Sequence, residues 1–99
     1  MYYQIKIEGE YIIMNSNEII ETIKRGYEYR ITIPDENIEI GILSKNDRTI
    51  ICYVSLFNNK RNHITDIEIN KVDILTYKIY KQMTLQELLM GDSVSIEYL

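Results

Sequence analysis

His63 and Cys52 are each the only residue of their kind in the chain, and that count limits the chemistry at once. A zinc site needs clustered imidazole nitrogens and thiolate sulfurs, which one histidine and one cysteine cannot supply within one chain. An internal disulfide is excluded for the same reason, and a reducing cytoplasm suits the composition. Cys52 lies in an alternating run with Ile50 and Val54, where a buried thiol has a raised pKa and is a poor nucleophile. His63 follows the polar stretch Asn58-Asn59-Lys60-Arg61-Asn62, and no signature there pairs it with a serine or cysteine as a triad requires. The acids Glu8 and Glu10, Asp35 and Glu36, and Asp66 and Glu68 remain as candidates for acid–base work. A carboxyl serves as general acid only in a shielded pocket that raises its pKa, and nothing in so short a chain predicts one. A solvated sheet face accounts for these acids equally well. No glycine-rich phosphate loop and no dinucleotide fingerprint is present. The residues therefore predict no enzyme activity and no cofactor, and surface recognition is what they leave.

Hydrophobic periodicity predicts the elements that carry these residues. The clearest signal is Ile38 to Phe57, where two alternating arms flank the polar corner Ser44-Lys45-Asn46-Asp47-Arg48. Ile38, Ile40 and Ile42 share one face of the first arm, and Ile50, Cys52, Val54 and Leu56 share one face of the second, as a half-buried hairpin requires. Tyr2 to Met14 alternates on either side of Glu8-Gly9 and predicts another hairpin or one kinked strand. Asn15-Ser16-Asn17-Glu18 offers a capping side chain with Glu three positions later, so a short helix is expected over roughly residues 16 to 25, closed by Gly26. Tyr27, Tyr29, Ile31 and Ile33 share a strand face, and Pro34-Asp35-Glu36-Asn37 is a turn by composition. The polar stretch from Asn58 to His63 is expected to be a loop, followed by a strand over Ile64 to Ile69. Good helix formers with apolar positions at Val72, Leu75, Ile79 and Met83, joined by Leu85, Leu88 and Leu89, predict a longer helix from about Val72 to Met90. Gly91 ends it, and Ser93 to Tyr98 alternates as a final strand. The expected fold is α+β: a mainly antiparallel sheet of five to seven strands with one short and one longer helix, in one domain over residues 1–99.

Composition narrows the partner. With 15 acidic and 11 basic residues the net charge is −4, and no Lys/Arg-rich run is present, so direct nucleic-acid binding lacks its usual electrostatic footprint. A basic protein partner suits this charge better. The apolar runs are too short for a membrane span, and the start MYYQIKIEGE has no basic, apolar leader. Edge strands in a small sheet leave a homodimer open.

The order of elements carries a family resemblance. An N-terminal strand, a short helix SNEIIETIKRG, a strand, a hairpin containing SKNDRTIICYVSL and then a long helix ending in LLMGDSVSIEYL resemble the type 1 immunity proteins of bacterial polymorphic toxins. That family includes the antidote of a double-stranded-DNA cytosine deaminase toxin. Lys45-Asn46-Asp47 with Ile50 to Tyr53 matches the family's hairpin, Leu85 to Leu89 its helix end, and Ile96-Glu97-Tyr98 its last strand, over about residues 12 to 99. Tyr98 stands where the family usually has Trp, and the segment after Phe57 is shorter than in some relatives. The resemblance implies a non-catalytic cytoplasmic protein that binds a toxin domain and covers its active site or substrate surface. Toxins of nuclease or deaminase type carry basic surfaces, so Asp47, Asp66 and Glu68 are the residues expected to steer association, with Asn46, Tyr53, Phe57 and Asn59 supplying contact area. An alternative for a small acidic α+β chain is a phage-encoded inhibitor of a bacterial defence complex, which would bind a different protein by the same chemistry. A small enzyme or ligand-binding domain would instead need a pocket with converging polar groups.

Overall fold

The computed structural model describes residues 1–57 and 59–99, and of residues 59–62 the backbone alone. In chain order the elements are β1 (Tyr2–Ile7), β2 (Glu10–Asn15), α1 (Ser16–Lys24), β3 (Tyr29–Ile33), β4 (Ile38–Ser44), β5 (Thr49–Leu56), β6 (Asn59–Asn70), β7 (Lys78–Tyr80), β8 (Met83–Thr84), α2 (Leu85–Leu89) and β9 (Ser95–Tyr98), with 3-10 turns at Pro34–Glu36 and Lys71–Asp73. The fold is α+β. Its main sheet is antiparallel in the order β6-β5-β4-β3-β9, and β1-β2 and β7-β8 form separate hairpins. Among the described residues no helix is long and apolar enough to cross a membrane.

Alternation along the strands decides where the core sits. Tyr29, Ile31 and Ile33 on β3, Ile38, Ile40 and Ile42 on β4, Ile50, Cys52 and Val54 on β5 and Ile69 on β6 are all buried on one face of the main sheet. They form one cluster with Tyr3, Ile5 and Ile7 of β1, Ile19, Ile20 and Ile23 of α1, and Leu85, Leu88 and Leu89 of α2. The hairpin β1-β2 and both helices therefore cover the same side of the sheet. Each fully buried isoleucine contributes about 1.5–3 kcal/mol relative to exposure, so this cluster is the main stabilising term.

Local chemistry sets the element ends. Glu8 and Gly9 both have positive φ, 50° and 84°, as a two-residue hairpin turn of the primed type demands. Asn15 Oδ1 accepts the Glu18 N–H at 2.9 Å and Glu18 Oε1 accepts the Asn15 N–H at 3.2 Å, the expected capping box at the start of α1. Inside the core, Thr22 Oγ1 donates to the Ile19 carbonyl oxygen at 2.7 Å, so the 2.6 Å contact between Thr22 Oγ1 and Tyr29 Oη has Tyr29 as donor. Tyr3 Oη donates to the Leu89 carbonyl oxygen and ties β1 to α2. Tyr98 packs its ring against Tyr27 and Tyr29 with centroids 5.5 and 6.0 Å apart.

Two expectations are corrected. The helix predicted over Val72 to Met90 is absent as such: only Leu85–Leu89 is α-helical, and the rest is a 3-10 turn, a turn and the β7-β8 hairpin. The helical spacing had grouped Val72, Leu75, Ile79 and Met83, but Val72 and Leu75 are exposed while Ile74 is buried. Lys81 and Gln82 take positive φ, 48° and 62°, which no helix interior accommodates. The true start signal is Thr84, whose Oγ1 accepts the Glu87 N–H at 3.2 Å while Glu87 Oε1 accepts the Thr84 N–H at 3.0 Å. The expected loop before Ile64 is also corrected, because β6 begins at Asn59 and pairs with β5 through a shifted register around Ser55. Ladder bonding along β5 extends the strand where hydrophobic patterning gives no sign of it.

Two predictions follow from this packing. Tyr29→Phe removes one buried hydrogen bond and should cost about 1 kcal/mol, whereas Thr22→Ala orphans the Tyr29 hydroxyl and should cost about 2 kcal/mol. The double variant should cost less than the sum in urea unfolding, because the two groups share one bond. Glu87, bonded to the Thr84 backbone and hydroxyl and facing Lys78, has its carboxyl held below the usual carboxylate range. A depressed folded pKa adds stability above the ordinary value, about 4.3, and that stability is lost as pH falls through the lower folded value. The gap in urea midpoint between the native chain and Glu87→Gln should therefore be largest near neutrality and narrow in acid.

Candidate protein-interaction surface

Covering one face of the main sheet leaves the other open, and strand register determines its layout. One cross-strand row runs Glu97, Arg30, Gly41, Tyr53, Asp66 from β9 to β6. A second runs Ser95, Thr32, Glu39, Ser55, His63, and a third brings Leu43, Ile51 and Glu68 together. Gly41 lies opposite Tyr53, and a Cβ there would make an ordinary van der Waals contact, 3.8 Å, with that of Tyr53. The result is a half-exposed patch of Leu43, Ile51 and Tyr53 bordered by charge.

Those charges are largely paired. Arg30 reaches Glu39 and Glu97, each at 3.2 Å. Lys45 Nζ lies 2.9 Å from Glu68 Oε1, and His63 Nε2 lies 2.6 Å from Asp66 Oδ1. These side chains are exposed, so each pair contributes at most about 1 kcal/mol to stability. Their larger effect is that Lys45 offsets the local field of Glu68, whereas the histidine contact offsets that of Asp66 only when protonated. Asp47, at the tip of the β4-β5 turn, has no ion pair among the described residues.

The structure divides the seven residues selected from sequence into three groups. Tyr53, Asp66 and Glu68 share the open face, with Asp66 directly opposite Tyr53. Asn46 and Asp47 lie at one end of β5. Asn46 builds the turn, its Oδ1 accepting from Arg48 N at 2.8 Å, Thr49 N at 3.0 Å and Thr49 Oγ1 at 2.9 Å. Phe57 lies at the other end, exposed, with its N–H donating to the Asn37 carbonyl oxygen at 2.9 Å. The side chain of Asn59 lies outside the described residues. The span of β5 separates Asp47 from Phe57 by about 25 Å, within reach of a single protein footprint of about 800 Å² per partner.

Arg30, Glu39, Glu97 and His63 complete this face and were not selected from sequence. Period-two alternation places Arg30 on the polar side of β3, but Glu97 becomes its neighbour only because β9 docks beside β3. The register also sets Ser55 beside His63, which touches Asp66, so residue types of a hydrolytic triad meet here. No hydrogen bond joins Ser55 to His63 among the described residues. Cys52 lies on the opposite, buried face, where desolvation pushes its thiol up to about 12.

This burial gives a test. In the folded protein Cys52 should resist alkylation at mild alkaline pH, with labelling at least about a thousandfold slower than in denaturant because it requires opening of the core. Burial also raises the phenols of Tyr3 and Tyr29. All three groups are neutral and impose no penalty below the ordinary thiol value, about 8.5, and stability falls as pH climbs from there toward 12, where the unfolded chain loses these protons first. An alkaline decline in melting temperature checks the sign. Compared with models of known protein families, with curated proteins and with solved structures, the chain finds no match.

Proposed function

We propose that this chain is a non-catalytic antidote that acts in the cytoplasm by binding a bacterial toxin domain and occluding its active site or substrate surface. The observation that carries the reading is the uncovered face of the main sheet, where Tyr53, Leu43 and Ile51 form a half-exposed patch inside a frame of paired charges. A tyrosine backed by small aliphatic neighbours and a polar rim is the composition that protein interfaces favour. The pairing of Glu68 with Lys45 leaves long-range attraction to the net charge of −4, with Asp47 and Asp66 contributing on this side, while close contact falls to the patch. The likeness of the early helix and of the hairpin with Lys45-Asn46-Asp47 to type 1 immunity proteins supports the same class of partner, a basic toxin of nuclease or deaminase type.

Co-expression with the toxin encoded beside the gene should restore growth. Reversing Asp47, Asp66 and Glu68 together to lysine should slow association about tenfold or more at low ionic strength, with a smaller effect in high salt. Tyr53→Asp should weaken the complex by about 2 kcal/mol or more through dissociation. Rescue that survives the triple reversal removes these acids from steering, and rescue that also survives Tyr53→Asp removes the open face as the binding surface.

A further inference from the structure

Among the described residues the hairpin β1-β2 pairs with no other strand, which leaves β2 a free edge. Because Glu8-Gly9 is a two-residue turn, the pairs that exchange both backbone bonds are Ile7 with Glu10, Ile5 with Ile12 and Tyr3 with Met14. The N–H and C=O groups of Tyr11 and Ile13 therefore point away from β1, and among the described residues they make no backbone bond outside the hairpin. Tyr11 and Ile13 are each 66% exposed and Ile12 is 40% exposed. A natural edge strand is usually blunted by lysine, proline or a bulge. None of these lies on Glu10–Asn15.

Beside this edge runs a groove in two parts that meet at Ile12. One part, about 320 Å³, lies between β2 and α1 and is floored by Met14 and Thr22, with Glu18, Glu21 and Arg25 around it. The other, about 490 Å³, is lined by Ile7, Tyr27 and Tyr98 with Glu8 and Glu10 at its margin. An apolar floor is thus flanked by Glu8 and Glu10 at one end and by Glu18 and Glu21 at the other, against the guanidinium of Arg25 and Lys24, whose Nζ lies 3.4 Å from Glu21 Oε1. Glu8 and Glu10 form no ion pair among the described residues.

We propose that β2 accepts an extended segment of a protein partner as an added strand, apolar at its groove-facing positions and basic at both ends. The backbone of the segment would bond to Tyr11 and Ile13, its apolar side chains would settle over Ile12 and Met14, and its lysines or arginines would meet Glu8 and Glu10 at one end and Glu18 and Glu21 at the other. Main-chain bonds give such strand addition its affinity, and alternate side chains give it specificity. A second copy of this chain fits worse, because its own β2 would bring Glu10 and the glutamates of α1 against an acidic margin. The inference rests on the reading that the partner is a basic protein, and adds a site separate from the open sheet face.

The probe is the peptide Lys-Arg-Val-Thr-Val-Thr-Val-Arg-Lys, titrated into the full chain and followed by backbone amide NMR, with a counterpart carrying glutamate in place of each lysine and arginine. The basic peptide should slow amide exchange at Tyr11 and Ile13 and bind at least about tenfold tighter than the acidic one at low salt. Ile13→Pro deletes an outward N–H while leaving the bonds to β1 in place, and should weaken binding about tenfold or more. Glu18→Gln with Glu21→Gln, in which glutamine at 18 can still accept the Asn15 N–H and keep the capping box, should narrow the preference for the basic peptide even if the proline variant loosens the hairpin. Equal binding of the two peptides, absence of exchange protection at Tyr11 and Ile13, or a peptide-independent dimer abolished by Ile13→Pro would overturn the proposal. Peptide binding needs no toxin, so its failure removes the edge site alone, and loss of toxin neutralisation is read separately by growth rescue.

Discussion

The structure depends on one constraint: its main sheet is buried on a single face. Alternate residues of β3, β4 and β5 supply the isoleucine-rich core, and a slip of one residue in any strand would turn that core out to water. Register is accordingly pinned at the corners. Asn46 satisfies three donors in the β4-β5 turn, Asn37 adopts the left-handed conformation after Pro34–Glu36, and Glu8-Gly9 closes the first hairpin with two positive φ values. Each corner uses a residue type suited to its backbone, so local preference and global packing agree.

The same one-sidedness accounts for the surface available for recognition. α1, α2 and the β1-β2 hairpin are all engaged in covering the inner face, and the outer face is left with half-exposed aliphatics, a tyrosine opposite a glycine and a lattice of cross-strand ion pairs. Paired charges hold side chains in place more than they attract a distant partner. Complementarity on that face therefore comes from shape and short-range polar matching, while the acids without an ion pair among the described residues include Asp47 at the turn tip and Glu8 and Glu10 at the start of β2.

Much of this architecture is legible from residue order. The central hairpin, the first hairpin, the Asn15–Glu18 capping box and the strand over Tyr29–Ile33 all follow from spacing and turn chemistry. The segment from Val72 to Leu89 does not, because its apolar residues fit a helical period while burial selects a different subset, Ile74 and Ile79. The Thr84-to-Glu87 capping box marks the real helix start and was available as a signal. The site was legible only in part: alternation places Tyr53, Asp66 and Glu68 on one side, whereas the meeting of Arg30 with Glu97 depends on a strand order that no local pattern encodes. Asn46 illustrates the opposite limit, since its Oδ1 accepts three bonds within its own turn, which alternation does not foretell.

The docking of β9 beside β3 has a further consequence for how the chain reaches this state. The two strands are joined through Arg30 and Glu97, 67 residues apart in sequence, so the exposed flank of β3 lacks its mate throughout translation of β4 to β8 and α2. Closing so long a loop is entropically slow. During that interval the nascent polypeptide carries an unsatisfied ladder next to its most isoleucine-rich region, and this flank is where a ribosome-associated chaperone would have most reason to bind.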